Sequence, residues 1–133
     1  MVGLSKEEKI KSKKEIDQIF AHGKSFFSMD KKLKVFFIVH SHAKEKNVKT
    51  VFAVSKKAGN AVWRNRVKRL MRVAFIRKAE DLRVEANQRH KSIDIVLSSF
   101  GLNKNKFRKP KLATITDSMT DLCTKLVVVI NNE

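Results

Sequence analysis

The sequence predicts a single α/β domain in which helices cover a small sheet, and three observations carry that expectation. Apolar residues alternate with period two over 32–40, 50–55 and 93–98, they recur at spacings of three and four over 13–22, 61–78 and from 112 onward, and no repeat or low-complexity tract divides the chain. A chain of 133 residues can bury roughly two-thirds of its unfolded surface, so one packed core over residues 1–133 is feasible.

The elements follow in order. Ser12 and Glu15 have capping-box spacing and Gly23 stands where a helix would stop, which predicts a helix over Lys13–His22 with Ile16, Ile19 and Phe20 on one face. Lys32–His40 reads as a strand with Leu33, Val35, Phe37 and Val39 toward the core. Its other face, Lys34, Phe36, Ile38 and His40, mixes a cation, an aromatic and a histidine, which suits neither a buried nor a plainly solvated surface. After a polar turn at 42–49, Thr50–Ser55 is expected to pair antiparallel with the first strand as a hairpin. Gly59-Asn60 breaks the chain before a helix over Ala61–Lys78, which could continue through Ala79–Ala86. Ile93–Ser98 reads as another strand. Asn103–Lys111 is a basic loop around Pro110, and from Leu112 the residues Ile115, Met119, Leu122 and Leu126 predict a last helix. The run Val127–Ile130 either prolongs that helix or frays as an extended tail.

Charge decides the class of partner. Lys and Arg number 30 against 13 Asp and Glu, a net +17 with a pI near 10.3. Such a body repels itself unless something anionic lies nearby, so a phosphate backbone or an anionic membrane is the expected partner class. No apolar run approaches a membrane span and no apolar signal core opens the sequence, so no membrane role is expected. The single Cys123 excludes an intramolecular disulfide and a cysteine zinc cluster, and a reducing cytoplasm fits best.

The charge is also segregated. Between Lys46 and Ala79 there is no acidic residue. Wound at about 100° per residue, Trp63, Val67, Leu70, Met71 and Ala74 share one arc, while Arg64, Asn65, Lys68, Arg69 and Arg72 share the opposing one. A solvated helix face ordinarily interleaves Glu with Lys at i,i+4 for a few tenths of a kcal/mol per pair. This face forgoes acids, so an external anion must offset its repulsion. Guanidinium forks suit bidentate phosphate contacts, and Asn65 can add a base-edge or 2′-hydroxyl contact.

The run Ser55-Lys-Lys-Ala-Gly-Asn-Ala-Val-Trp-Arg-Asn-Arg-Val-Lys-Arg69 closely resembles the signature of the protein subunit of bacterial ribonuclease P. Weaker likeness extends to Ile19-Phe-Ala-His-Gly-Lys-Ser25, to the strand before the turn and to Asp94-Ile-Val-Leu97. The resemblance implies a two-layer α/β (α+β) sandwich of ribosomal-protein-like design, a small mixed sheet with a left-handed β-α-β crossover. It also implies that the protein assists a catalytic RNA that removes the 5′ leader of precursor tRNA. Magnesium would be bound mainly by the RNA, with one protein per RNA and no homo-oligomer. Carried onto this sequence, the catalytic-RNA contacts are Lys56, Lys57, Asn60, Arg64, Asn65, Arg66, Lys68, Arg69 and Arg72. The cleft for the single-stranded leader is Ile16, Phe20, Lys34 and Phe36, with Ile16 standing where the family usually has Phe. No protein side chain is implied to be catalytic.

Other features support less. His22, His40, His42 and His90 lack metal-ligand spacing, Cys123 lies on an apolar stripe, and Asp117 with Asp121 is an ordinary i,i+4 pair. Two other classes compete: a structural, ribosomal-type RNA-binding protein without a processing role, and a protein nuclease. The nuclease would need carboxylates clustered around the cleft, which the acid-free segment opposes.

Overall fold

The computed structural model describes residues 9–10, 12–41 and 47–132. Residues 1–8, which open the sequence, and most of the polar turn, including His42, lie outside the described residues.

Helix α1 spans Lys13–His22 as the periodicity predicts, with the Ser12 hydroxyl accepting the Glu15 N–H at 3.4 Å. Gly23 ends it for want of room. Its φ of −75° suits any residue, but an added Cβ would strike the carbonyl oxygens of Ile19 and Phe37, so the tight passage from α1 into the sheet admits only glycine.

The strands are β1 (Lys24–Phe27), β2 (Lys34–His40), β3 (Val48–Ala53) and β4 (Ser92–Ser98), in the spatial order β1-β2-β4-β3. The expected hairpin between the second and third is overturned. β4 inserts between them, antiparallel to β2 and parallel to β3. The physical reason lies in β4, where Ile93, Ile95, Val96 and Leu97 are all wholly buried. A strand buried on both faces stands inside the sheet, and β2 and β3, each buried mainly on one side, flank it. β1, unforeseen in the sequence, pairs antiparallel with β2 and places Phe27 opposite Lys34.

The chain from β3 to β4 runs through α2 (Ala61–Lys78) and α3 (Glu80–Gln88), completing a parallel β-α-β connection. The periodic stretch therefore does not run as one rod. It turns at the wholly buried Ala79, and Glu80 and Asp81 open α3 where its dipole favours acids. α4 spans Leu112–Asn132, so the Val127–Ile130 run is helical, with Ile130 buried.

Two hydrophobic clusters sit on the two sides of the sheet. Val35, Phe37, Ile93, Ile95 and Leu97 face α2, α3 and α4 through Val67, Met71, Phe75, Leu82, Met119, Leu122 and Leu126. On the reverse, Val96 meets Ile19 of α1 and Ile10, with Ile16, Phe36, Ile38 and Val51 around them. α1 thus adds a partial third layer and leaves part of the reverse face open. The mixed residues of β2 line that open part.

Candidate nucleic-acid interface

The cationic surface is built from the approach to α2. Ser55 accepts the Lys57 N–H at 3.2 Å, fixing a short turn that carries exposed Lys56 and Lys57. Asn60 caps α2, its side-chain oxygen accepting the Trp63 N–H at 2.9 Å. Gly59 presses against the Trp63 indole, which is only 4% exposed, and an added Cβ would lie 2.7 Å from the ring.

From this start the helix buries Trp63, Val67, Met71, Ala74 and Phe75, and the expected cations emerge on the other side. Arg64, Lys68 and Arg72 follow at i,i+4 as a half-buried row, with Asn65 and Arg69 exposed beside it. The Arg72 guanidinium stands 5.9 Å from the centre of the Phe52 ring, which orients it. Arg64 Nε is shut off from solvent and has no hydrogen-bond partner among the described residues. Arg66 departs from the row: its Nε–H donates to the Pro110 carbonyl at 2.8 Å.

Ion pairs lie elsewhere, at Lys32–Asp30, His40–Asp94, Arg83–Glu80, Arg89–Glu85 and Lys125–Asp121. Among the described residues none of the cations from Lys56 to Arg72 has a carboxylate partner, so their charge is available to an external anion.

The second surface lies on the reverse of the sheet. Phe20, 46% exposed, meets Phe36 edge to face with ring centres 4.8 Å apart. Lys34 Nζ hangs 4.8 Å from the Phe36 centre, and Ile16 is half-buried beside buried Ile19. These four expected cleft residues are brought together. The sequence reading missed two more, Phe27 and Phe100. Phe27 lies 4.7 Å and Phe100 5.6 Å from Lys34 Nζ, and their rings stack edge to face at 5.0 Å. One ammonium thus sits among three aromatic rings, with Phe100 63% exposed. β1 was too short to read as a strand, and only its pairing, Phe27 opposite Lys34, reveals the cluster.

A model of the ribonuclease P family matches residues 4–127. The chain belongs to the ribonuclease P family. A ribonuclease P protein component of Syntrophus aciditrophicus is 35% identical over 130 residues, covering 98% of this chain and 90% of its own. The fold resembles two solved structures. The ribonuclease P protein of Thermotoga maritima has a TM-score of 0.68 at 22% identity, covering 89% of this chain and 96% of that one. The protein of Staphylococcus aureus has a TM-score of 0.61 at 21% identity, covering 93% and 94%.

Asp30, Asp121 and Cys123 of this ribonuclease P chain belong to the scaffold. Burial acts to raise the Asp30 carboxyl, but hydrogen bonds from Ser118, Ser28 and the Lys32 N–H, with the Lys32 charge, hold it below the usual carboxylate range. Asp121 accepts the Met29 N–H at 2.8 Å, tying α4 to the β1–β2 turn. Burial pushes the Cys123 thiol up to about 12, which leaves it unreactive. Among the described residues no group of three His, Cys, Asp or Glu side chains is placed to hold a metal ion, and no helix is long and apolar enough to cross a membrane.

Proposed function

We propose that this chain, as a ribonuclease P protein component, engages two RNAs through two surfaces of one sheet domain. The α2 row of Arg64, Lys68 and Arg72, with Lys56, Lys57, Asn65, Arg66 and Arg69 around it, binds the sugar-phosphate backbone of the ribonuclease P RNA. The Asn60 side chain holds the helix start for that contact. The aromatic cleft of Phe20, Phe36 and Lys34, bordered by Ile16 and extended by Phe27 and Phe100, holds the single-stranded 5′ leader of precursor tRNA. Single strands bind where bases stack on aromatics beside cations, at about 1–3 kcal/mol per stacked base.

In this reading the RNA performs the endonucleolytic cut with magnesium bound mainly to its own oxygens, and the protein binds and orients. The metal supplies charge neutralisation at phosphate. One protein serves one RNA, in a cytoplasmic setting. The observation that carries the reading is that two differently built surfaces exist: α2 cations without a carboxylate partner among the described residues, reaching the β3 edge where Arg72 lies over Phe52, and a cation-centred aromatic cluster around Lys34 of β2.

The test is multiple-turnover cleavage of a precursor tRNA at low magnesium, with the ribonuclease P RNA alone, with RNA plus protein, and with protein alone. Stimulation of the RNA by the protein is expected. Cleavage by the protein alone would overturn the assignment of chemistry to the RNA, and absence of stimulation would overturn the processing role.

A further inference from the structure

The basic loop between β4 and α4 is fastened to the start of α2. The Lys104 N–H donates to the Ala58 carbonyl at 2.8 Å, the Trp63 indole N–H to the Phe107 carbonyl at 2.8 Å, and Arg66 Nε–H to the Pro110 carbonyl at 2.8 Å. Within the loop, Asn103 accepts the Lys106 N–H at 2.9 Å through its side chain and the Phe107 N–H at 2.9 Å through its carbonyl. The loop therefore has a defined shape, and its contacts to α2 use loop backbone groups. The side chains of Lys104, Arg108, Lys109 and Lys111 take no part in that fastening.

Those side chains concentrate charge. Lys104, Arg108, Lys109 and Lys111 join Arg66 around a cleft of about 410 Å³ beside the first turn of α2. No carboxylate lines it, and among the described residues none of the five has an ion-pair partner. Holding five cations around one concavity is unfavourable in isolation, and fixing the backbone beforehand removes ordering entropy from a later association.

We propose that segment 103–111 is a second phosphate-binding element, which extends the α2 surface and takes further backbone phosphates of the ribonuclease P RNA. This rests on the assignment of α2 to that RNA. The fastening favours that RNA over the leader, since the hydrogen bonds at Lys104, Phe107 and Pro110 all run to α2 and its approach turn, while the Phe107 ring lies 5.4 Å from Lys32 Nζ and Lys111 bonds to Thr114 at the start of α4. Arg66 belongs to both parts and links them.

The test compares two matched double variants of the full chain, Arg108→Gln with Lys109→Gln in the loop and Arg77→Gln with Lys78→Gln at the far end of α2; all four residues are exposed. Affinity for the ribonuclease P RNA is measured over a salt series, and affinity of each assembled complex for leader-bearing precursor tRNA is measured at one salt. Each lost phosphate contact takes about 0.7–0.9 from the slope of log affinity against log salt. The loop pair is expected to weaken RNA binding about tenfold or more near physiological salt and to flatten the slope by about 1–2, with substrate affinity unchanged. Equal losses from both pairs would mean that total charge acts, and would overturn the proposal. So would unchanged RNA binding by the loop pair, or a loss confined to leader-bearing substrate. If the wild-type chain itself binds this RNA without salt dependence, the α2 assignment fails too, which separates the two failures.

Discussion

Phe20 of α1 and Phe36 of β2 meet edge to face at 4.8 Å, the one on a helix and the other on a strand 16 positions later in the chain. Phe20 keeps nearly half its surface in solvent although Ile19 beside it is buried. An exposed aromatic held in place by a second aromatic is a preformed stacking platform, because its rotamer is fixed before a base arrives.

Phe20→Ala should therefore weaken binding of leader-bearing precursor tRNA by about 1–3 kcal/mol. Affinity for a tRNA without a leader should stay unchanged. Equilibrium binding of both substrates to the assembled complex checks this, and equal losses for the two would refute leader stacking at this ring.

Phe100→Ala removes a ring that is 63% exposed, so thermal stability should shift little while leader affinity falls. The effect should depend on leader length. Shortening the leader one nucleotide at a time should reach a point below which wild type and variant bind alike, which locates the nucleotide this ring touches.

Asn60 caps α2, and the family resemblance implies a second, separable role against RNA. Asn60→Ala should lower stability by about 1 kcal/mol through loss of the α2 cap. Asn60→Ser restores a capping oxygen and should recover most of that loss in chemical denaturation. Binding of the ribonuclease P RNA by the Ser variant then reports whether the amide itself contacts RNA: near wild-type affinity assigns Asn60 to the cap alone.

Asp30 gives the fold an acid-sensitive joint between the β1–β2 turn and α4. Its carboxyl titrates lower in the folded chain than in the unfolded one, where about 3.9 is ordinary. The unfolded chain binds more protons in the window between those values, so stability rises with pH there, and the contribution is complete above it. Asp30→Asn should lower Tm at neutral pH. The gap between wild type and variant should narrow as pH falls below about 4, a trend that a pH series of melts would read directly.

Local chemistry made much of this legible in the sequence. α1 and α2 begin and end where caps and periodicity put them, and the cationic row follows from helical geometry once Ala61–Lys78 is a helix. Pairing was not legible. Val48–Ala53 alternates as a hairpin partner would, and only the all-round burial of β4 decides that it is the central strand. The same limit hid half of the aromatic cluster, since Phe27 reaches Lys34 through strand pairing and Phe100 arrives from a loop after β4. Arg66 shows a subtler gap, because periodicity places it on the helix while its partner Pro110 lies 44 residues away.

The central claim is that two RNAs use two surfaces, and a crossed binding measurement tests it most directly. Arg64→Ala with Arg69→Ala on one side, and Phe20→Ala with Phe100→Ala on the other, are each assayed for affinity toward the ribonuclease P RNA and, once assembled, toward leader-bearing precursor tRNA. The account predicts that the arginine pair loses the first affinity and keeps the second, and that the phenylalanine pair does the reverse. Losses of both affinities by both pairs would contradict it.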